Sequence, residues 1–382
     1  MNATIRRTEF APGSRVIVVS DIHGHADWLC RLLAKTGYRP GEDYLIIVGD
    51  LIEKGRDSLG VVREAMRLAA ESHRVTVMMG NNDLWRLEQL REPTLKRDEI
   101  LFGSTAYFAN RWGGSLFYEM CREAGVTYTS LADLPAAREQ IARRFAAELD
   151  FLAGLPTVLA APQYTFVHGG LPCPEDELDT LTTRNAYDCL KYDDFRGDLA
   201  ARQAPRFSRP VIVGHWPVAL YRRTIPEHNP LVDDRFNVIS IDGGCGLKRD
   251  GQLNALILTP DDGGLAWDSV DDLPTVRALD AQAASADSIS INWGDNEVRR
   301  LDDSAEARPG YALIEHIRTA RRLWIPDDDF YTDDEGRLYC REMTDYALPV
   351  QPGDTLSLVK AMPDAAIVKK NGVVGWYRRR WE

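Results

Sequence analysis

Five short apolar runs each break off into a turn of glycine and polar residues, and this pattern restricts the fold more than any other feature of the chain. RVIVVS leads into Asp21-Ile22-His23-Gly24-His25, YLIIV into Gly49-Asp50, and RVTVMM into Gly80-Asn81-Asn82-Asp83. YTFV leads into His168-Gly169-Gly170, and PVIV into Gly214-His215-Trp216. Runs this short, rich in β-branched residues, suit buried parallel strands. Apolar residues recur at helical spacing between them: Trp28, Leu29, Leu32 and Leu33, then Leu59, Val62, Met66 and Ala69. Strands alternating with helices imply βαβ units, hence an α/β fold with a mostly parallel sheet.

The remaining pattern extends this body. Residues 84–150 read as mainly helical, interrupted at Arg111-Trp112-Gly113-Gly114, and further strands are expected at 164–167, 210–213, 236–241 and 253–258. A first domain over 12–260 follows. The acidic stretch 261–305 lacks long apolar runs and reads as a linker or draped segment. In 306–382, closely spaced strands at 311–317, 338–343, 355–360, 365–369 and 373–377, with Pro-Gly and Asn-Gly turns, predict a small β-rich domain. At 382 residues, a large body with a smaller module is a natural division.

Charge and cysteine usage narrow the function classes. A net charge of −12 argues against general nucleic-acid or membrane-surface binding. An anionic substrate stays compatible, because bound divalent cations reverse the local field. No apolar run is long enough for a membrane span, and the N-terminal residues lack the apolar core of a signal peptide. The six cysteines are scattered, with no CxxC pair, as free thiols in a reducing cytoplasm would be. A cytoplasmic protein without structural zinc on cysteine is expected.

The chemistry-bearing residues collect where strands stop: Asp21, His23, Asp50, Asn81, His168 and His215. The carboxyl ends of strands are where α/β sheets bind ligands. Each residue has an ordinary explanation by itself. Asp is a preferred helix N-cap, and His168 or His215 could be a satisfied histidine at a turn. As an ordered set of carboxylates, imidazoles and one amide, without thiolates, they suit Mn, Fe, Zn or Mg. A two-metal centre needs one carboxylate bridging ions about 3.5–4 Å apart. Asp50 is the natural bridge, with Asp21 and His23 on one side and Asn81, His168 and His215 on the other.

With Ser20-Asp21-Ile22-His23-Gly24, Gly49-Asp50-Leu51-Ile52-Glu53-Lys54-Gly55, Gly80-Asn81-Asn82-Asp83, Val167-His168-Gly169-Gly170 and Gly214-His215-Trp216, the chain resembles the calcineurin-like metallophosphoesterases. The similarity is to the branch holding PPP-type serine/threonine phosphatases and symmetrical diadenosine tetraphosphatases. It spans residues 16 to 258, roughly two-thirds of the chain. Trp112-Gly113-Gly114 and Ile241-Asp242-Gly243-Gly244-Cys245 support it, and Pro217 stands where many other calcineurin-like families carry a second histidine. The resemblance implies a sheet sandwich with flanking helices and two divalent ions, manganese foremost. Asp21, His23 and Asp50 would hold the first, and Asp50, Asn81, His168 and His215 the second. It also implies hydroxide attack on the phosphorus of a phosphorylated small molecule, nucleotide or phosphoprotein. In the last thirty or so residues, Asn371-Gly372 and Gly375-Trp376 resemble bacterial SH3-like domains, which implies a protein partner for that end.

Two positions depart from the branch. Lys54 replaces the phosphate-binding arginine, keeping the charge but losing the bidentate fork, and Arg56 two residues on could supply a guanidinium. Asn82 replaces the histidine thought to protonate the leaving group. General acid catalysis contributes about 10²–10⁴-fold, so its loss weighs most on poor leaving groups and least on phosphoanhydrides or aryl phosphates. UDP-diacylglucosamine hydrolases, also calcineurin-like, read Gly-Asn-Arg-Asp at this place and cleave an anhydride. His25 is an alternative acid. The expectation is therefore a metal-dependent phosphoesterase or phosphatase favouring anhydrides or activated esters. The reading from another class is a catalytically degenerate metal- and phosphate-binding domain that works through protein interactions.

Overall fold

In the computed structural model, which describes residues 1–301 and 308–382, alternate residues of the short apolar strands face two different layers. The first unit comprises Met1–Pro217 and Pro230–Asp271. Its opening half runs β1 (Ile5–Arg7), β2 (Val16–Val19), α1 (Ala26–Lys35), β3 (Tyr44–Ile47), α2 (Ser58–Glu71) and β4 (Val75–Val77). Five helices follow: α3 (Asn81–Arg91), α4 (Leu95–Trp112), α5 (Leu116–Ala124), α6 (Leu134–Arg144) and α7 (Ala146–Ala153). Then come β5 (Val158–Ala160), β6 (Thr165–Val167), α8 (Tyr187–Leu190), α9 (Phe195–Ala201) and β7 (Val211–Val213). The unit closes with β8 (Leu231–Asp233), β9 (Val238–Ser240), β10 (Leu253–Thr259) and β11 (Gly264–Val270).

These strands make two sheets, ordered β11-β10-β2-β3-β4 and β1-β5-β6-β7-β9-β8. Val16 and Val18 of β2 meet Phe166, Ile212 and Ile239 of the other sheet in one apolar layer. Their neighbours Ile17 and Val19 face outward to Leu29 and Leu32 of α1 and Val61, Val62 and Ala65 of α2. On the second sheet, Val167, Val211 and Val238 face away from the first, toward Phe195 and Leu199 of α9. The period of two in an extended chain thus yields helices, sheet, sheet and helices as successive layers. The strands β2, β4, β6, β7 and β9 are buried along their whole length, which is why these runs read as continuously apolar.

Direction matters more to function than layering. β2, β3 and β4 are parallel, and so are β6, β7 and β9. The antiparallel members, such as β10 against β2 and β5 against β6, make both sheets mixed. Among the described residues no helix is long and apolar enough to cross a membrane.

The second unit comprises Val218–Asn229 and Asp272–Glu382. It holds β12 (Thr275–Arg277), β13 (Ser290–Ile291), β14 (Val298–Arg300), β15 (Tyr311–His316), β16 (Arg322–Pro326) and β17 (Phe330–Thr332). β18 (Leu338–Cys340), β19 (Met343–Thr344), β20 (Thr355–Ala361), β21 (Ala366–Lys370) and β22 (Val373–Tyr377) complete it. A four-stranded sheet β12-β20-β21-β22 and a three-stranded sheet β14-β15-β16 form its body. Trp376 is buried there and donates from Nε1 to the Thr344 carbonyl at 2.7 Å. The stretch 261–305 is divided: β11 extends the first unit's sheet, while β12, β13 and β14 pair within the second. The expected boundary at 305/306 lies outside the described residues. Residues 218–229, far away in sequence, join the second unit through hydrogen bonds from Val374 N to Pro226 O, His228 N to Gly372 O, and Asn229 Nδ2 to Asn371 O.

Candidate metal centre

Parallel strands bring their carboxyl ends to one edge, and each of six such ends carries a polar residue. β2 delivers Asp21 and His23, β3 Asp50, β4 Asn81, β6 His168, β7 His215 and β9 Asp242. The two sheets meet there through their ligand candidates. His215 N donates to Asp21 Oδ2 at 3.0 Å, and His168 Nδ1 lies 2.8 Å from the Val48 carbonyl.

The loops are held in costly conformations. Asp21, His23, Asp50, Glu53, Lys54 and His215 all have φ between 48° and 67°, the left-handed region that side-chain-bearing residues avoid. Strain of this kind persists where the surroundings over-determine it, and it clusters at functional sites. Here Asp21 N donates to Gly49 O, His23 N to Asp50 O and Gly24 N to Leu51 O, stitching the two loops together. Gly80 must be glycine because a Cβ there would overlap Asp50 N and Oδ1. Asp83 then locks the turn, its carboxylate accepting from Gly80 N at 2.8 Å and Leu51 N at 3.0 Å.

Two triads of ligand atoms result, Asp21, His23 and Asp50 in one and Asp50, His168 and His215 in the other, each within 4.8 Å. Asp50 belongs to both. Asn81 joins the second, its Oδ1 lying 3.0 Å from His168 Nε2. The His23 Nδ1 sits 3.1 Å from the Ile52 carbonyl, so Nδ1 carries the proton and Nε2 faces the carboxylates of Asp21 and Asp50. Two buried atoms of the cluster, Asp21 Oδ1 and His215 Nε2, have no hydrogen-bond partner. Unpartnered buried polar atoms are expensive, and a divalent cation at each triad would satisfy one of the two. The donor set of carboxylates, imidazoles and one amide fits such ions.

The electrostatics point the same way. Burial pushes the Asp21 carboxyl up to about 6, with Asp50 adding to it and His168 opposing. Burial also works against ionised Asp50, but His168, His23 and Lys54 outweigh it and hold Asp50 well below the usual carboxylate range. Burial lowers His23 to about 3, helped by Lys54. His168 goes the other way. Burial disfavours its charge, yet the Asp50 and Asp21 carboxylates raise it to about 10. His215 falls to about 3 through burial and the proximity of His168. A buried cluster of acids drawing positive charge toward itself is what a cation site requires.

The remaining expected residues are placed less simply. Lys54 Nζ lies 3.2 Å from His23 Nε2, on the inner side, while Arg56 is exposed and lies against Gly113. His25 is half-buried, with Nδ1 2.7 Å from the His23 carbonyl and 3.1 Å from that of Ile22. Its Nδ1 proton is thereby committed to the main chain. Asn82 turns back on the cluster, donating from its main-chain N to Asp50 Oδ1 at 2.9 Å and from Nδ2 to Oδ2 at 2.5 Å.

Two buried carboxylates here were not singled out from sequence. Asp242 is raised well above its usual range by burial and by Asp21, and accepts from Gly244 N at 2.7 Å. The Ile241–Cys245 motif was its signal, since Cys245 Sγ also reaches the Ile22 carbonyl at 3.5 Å. Glu53 is fully buried and paired with fully buried Arg86, Nε to Oε1 at 2.9 Å. Arg86 also donates to Gln89 and Ser115, which ties the loop of Glu53 and Lys54 to α3 and α5.

Glu119 of α5 supports the start of α2, accepting from Leu59 N at 2.8 Å. Burial raises its carboxyl to about 7, against an ordinary value of 4.5. The folded value exceeds the unfolded one, so this group's contribution to stability is fully present below about pH 4.5 and declines as pH rises toward 7. Glu119→Gln is expected to remove up to about 3 kcal/mol of that decline, read from urea midpoints at pH 5 and pH 8. Parallel pH dependence in parent and variant would contradict this.

Mixed sheets between helical layers, with carboxylates and imidazoles converging at the strand ends, are the architecture of a metal-dependent phosphohydrolase. The sequence profile of the calcineurin-like phosphoesterases matches residues 14–240, more than half of the chain, and the chain belongs to that family. It is 25% identical over 289 residues to the symmetrical bis(5'-nucleosyl)-tetraphosphatase of Neisseria gonorrhoeae, covering 66% of this chain and 97% of that one. The protein of the same name from Buchnera aphidicola is 41% identical over 66 residues, 17% of this chain and 23% of its own. A solved structure of a serine/threonine phosphatase from Saccharomyces cerevisiae aligns with 72% of this chain and 85% of its own, at 13% identity and a TM-score of 0.44.

Proposed function

We propose that this phosphohydrolase cleaves phosphoanhydrides or activated phosphoesters in preference to alkyl phosphates. The observation that carries the preference is the hydrogen bond from Asn82 Nδ2 to Asp50 Oδ2. At the place where the branch keeps an acid, this chain keeps an amide bound to a carboxylate. His25, the other candidate, has its Nδ1 proton on main-chain carbonyls. The Asn82 amide offers no proton to an alkoxide, whereas a phosphate leaving group departs without one. The names of the tetraphosphatases that the chain resembles support the same substrate chemistry.

In this reading Asp21, His23 and Asp50 hold one divalent ion, and Asp50, Asn81, His168 and His215 the other, manganese being the ion to test first. When bound, the ions supply charge neutralisation of phosphate oxygens and acidification of the attacking water. The protein groups do the rest. Asn82 fixes the rotamer of Asp50. Ile52 and Val48 carbonyls orient His23 and His168. Lys54, next to His23, and Arg56, farther out at the rim, draw in the phosphate chain.

Purified protein, assayed with and without Mn on diadenosine tetraphosphate, p-nitrophenyl phosphate and glycerol phosphate, tests the proposal. The first two are expected to turn over and the third to lag. Asn82→His is expected to raise glycerol phosphate hydrolysis by about 10²-fold or more and to leave the anhydride rate within a few-fold. An unchanged glycerol phosphate rate would remove the explanation given for Asn82. Bound metal with no turnover of any substrate would favour the degenerate binding domain instead.

A further inference from the structure

β11 closes one edge of the first unit's five-stranded sheet, and its outer side has no strand partner. Alternation along the sheet shows which main-chain groups face outward. Tyr44 N donates to Arg15 O and Val48 N to Val19 O, so these residues of β2 bond toward β3, and Val16 and Val18 bond toward β10. Val16 and Val18 stand opposite Leu258 and Leu256, which in turn stand opposite Leu265 and Trp267. The main-chain groups of Leu265, Trp267 and Ser269 therefore point away from β10. Helix α1 takes the far end of that row. Lys35 Nζ donates to Ser269 O at 2.8 Å, and Arg31 Nη1 to Asp271 O at 3.3 Å. The outward N–H and C=O of Leu265 and Trp267 have no partner among the described residues.

The side chains of these two residues share one face of the sheet and are 36% and 44% exposed. Proteins blunt a free edge with lysine, proline, a bulge or a covering element. From Gly264 to Trp267 there is neither lysine nor proline, and the register with β10 is unbroken. An open edge that also presents leucine and tryptophan is a pairing surface.

We propose that this edge pairs with the same edge of a second copy of the chain, antiparallel about a two-fold axis at Ala266. The strand itself selects the occupant and the register. Two-fold pairing sets outward residues against outward residues, so the axis falls at Leu265, Ala266 or Trp267. An axis at Leu265 places Trp267 against Gly263, in the turn before the strand. An axis at Trp267 places Leu265 against Ser269, whose carbonyl Lys35 already holds. Only the axis at Ala266 joins Leu265 to Trp267 of the second copy and Trp267 to its Leu265, using every free group. Ala266 then meets its own mate at the closest pair, about 4.5 Å between Cα atoms, where a small side chain fits. Asp268 faces Gly264 and is already neutralised by Lys35 at 2.7 Å, so no carboxylates oppose each other. β11 is thus complementary to its own reverse, as an unrelated extended segment is not. The contact joins two five-stranded sheets into one. It falls short of the roughly 1,200 Å² of stable interfaces, so the dimer dissociates at micromolar concentration.

Sedimentation velocity of the full-length protein from about 1 to about 100 μM is expected to show monomer giving way to dimer. Trp267→Lys should weaken the dimer about 10-fold or more with the circular dichroism spectrum unchanged. Trp293→Lys, at a 62% exposed tryptophan of the second unit, should leave it as it is. In a Cys30→Ser background, which removes the exposed thiol, Ala266→Cys should cross-link between copies on mild oxidation. Ser269→Cys should not, because its mate lies about 20 Å away along the strands. A monomer at the highest concentration would overturn the proposal, as would a Trp267→Lys variant that dimerises like the parent. Cross-linking at Ser269 in place of Ala266 would overturn it too.

Discussion

Asp50→Asn is expected to lower Mn-dependent hydrolysis by about 10³-fold or more, with the fold retained. Asp50 is the one residue common to both triads, and in the proposed site its negative charge would make two cations tolerable side by side. An asparagine keeps the size but turns one oxygen into a donor aimed at the ions. Asn82 then loses an acceptor as well, since its Nδ2 donates to Asp50 Oδ2. Loss of a charge that organises two metals amounts to several kcal/mol of transition-state stabilisation, and about 4 kcal/mol corresponds to 10³ in rate. Steady-state rates paired with metal content by mass spectrometry check this. A variant retaining more than a tenth of the parent rate would show that Asp50 is not the bridge.

The largest effect on stability should come from Arg86→Met. Arg86 and Glu53 are both fully buried and hydrogen-bonded to each other, and Glu53 also accepts from Leu116 N at 3.3 Å. Removing one member of such a pair leaves an uncompensated buried charge, which costs about 3–5 kcal/mol. Removing both is far milder, because the desolvation penalty disappears along with the attraction. Arg86→Met combined with Glu53→Leu is therefore expected to recover much of what the single variant loses in urea unfolding. A double variant less stable than the single one would mean that the pair stabilises the fold outright. Glu53 and Lys54 both lie in the left-handed region, so the single variant should also weaken phosphate binding through Lys54 in its proposed role.

The residues most legible in the sequence were those whose position follows from a strand ending. Asp21, His23, Asp50, Asn81, His168 and His215 could be gathered because an apolar run stops just before each. The resemblance implied a sheet sandwich, but which of the six strands joins which sheet was not legible. Three- and four-residue strands buried on both faces look alike whichever sheet they join, and β1 and β5 were too short to stand out. Glu53 and Arg86 were hidden for a related reason. A charged residue in sequence reads as surface, and only packing shows that two of them neutralise each other in the interior. The role of Asn82 depended on a rotamer, and no spacing rule supplies one. The stretch 261–305 looked featureless because none of its strands pairs within it: β11 pairs with β10 just before, β14 with β15 just after, and β12 and β13 with β20 and β19 far along the chain.

The segment Val218–Asn229 bears on how the chain matures. It emerges from the ribosome only three residues after His215, yet the partners of Pro226, His228 and Asn229, from Asn371 to Val374, are made near the very end of synthesis. The carbonyls of Arg222, Arg223 and Thr224 find theirs earlier, at Asn292, Ser290 and Ser288. The later part of the stretch following one of the proposed ligands therefore lacks these partners for much of translation, even while the two sheets of the first unit can already assemble. Domains made early in synthesis ordinarily fold as they appear. This chain defers one piece of its earlier unit's connection to the last strand hairpin, so trimming the C-terminal region would leave that segment without its β partners rather than yield a clean catalytic fragment.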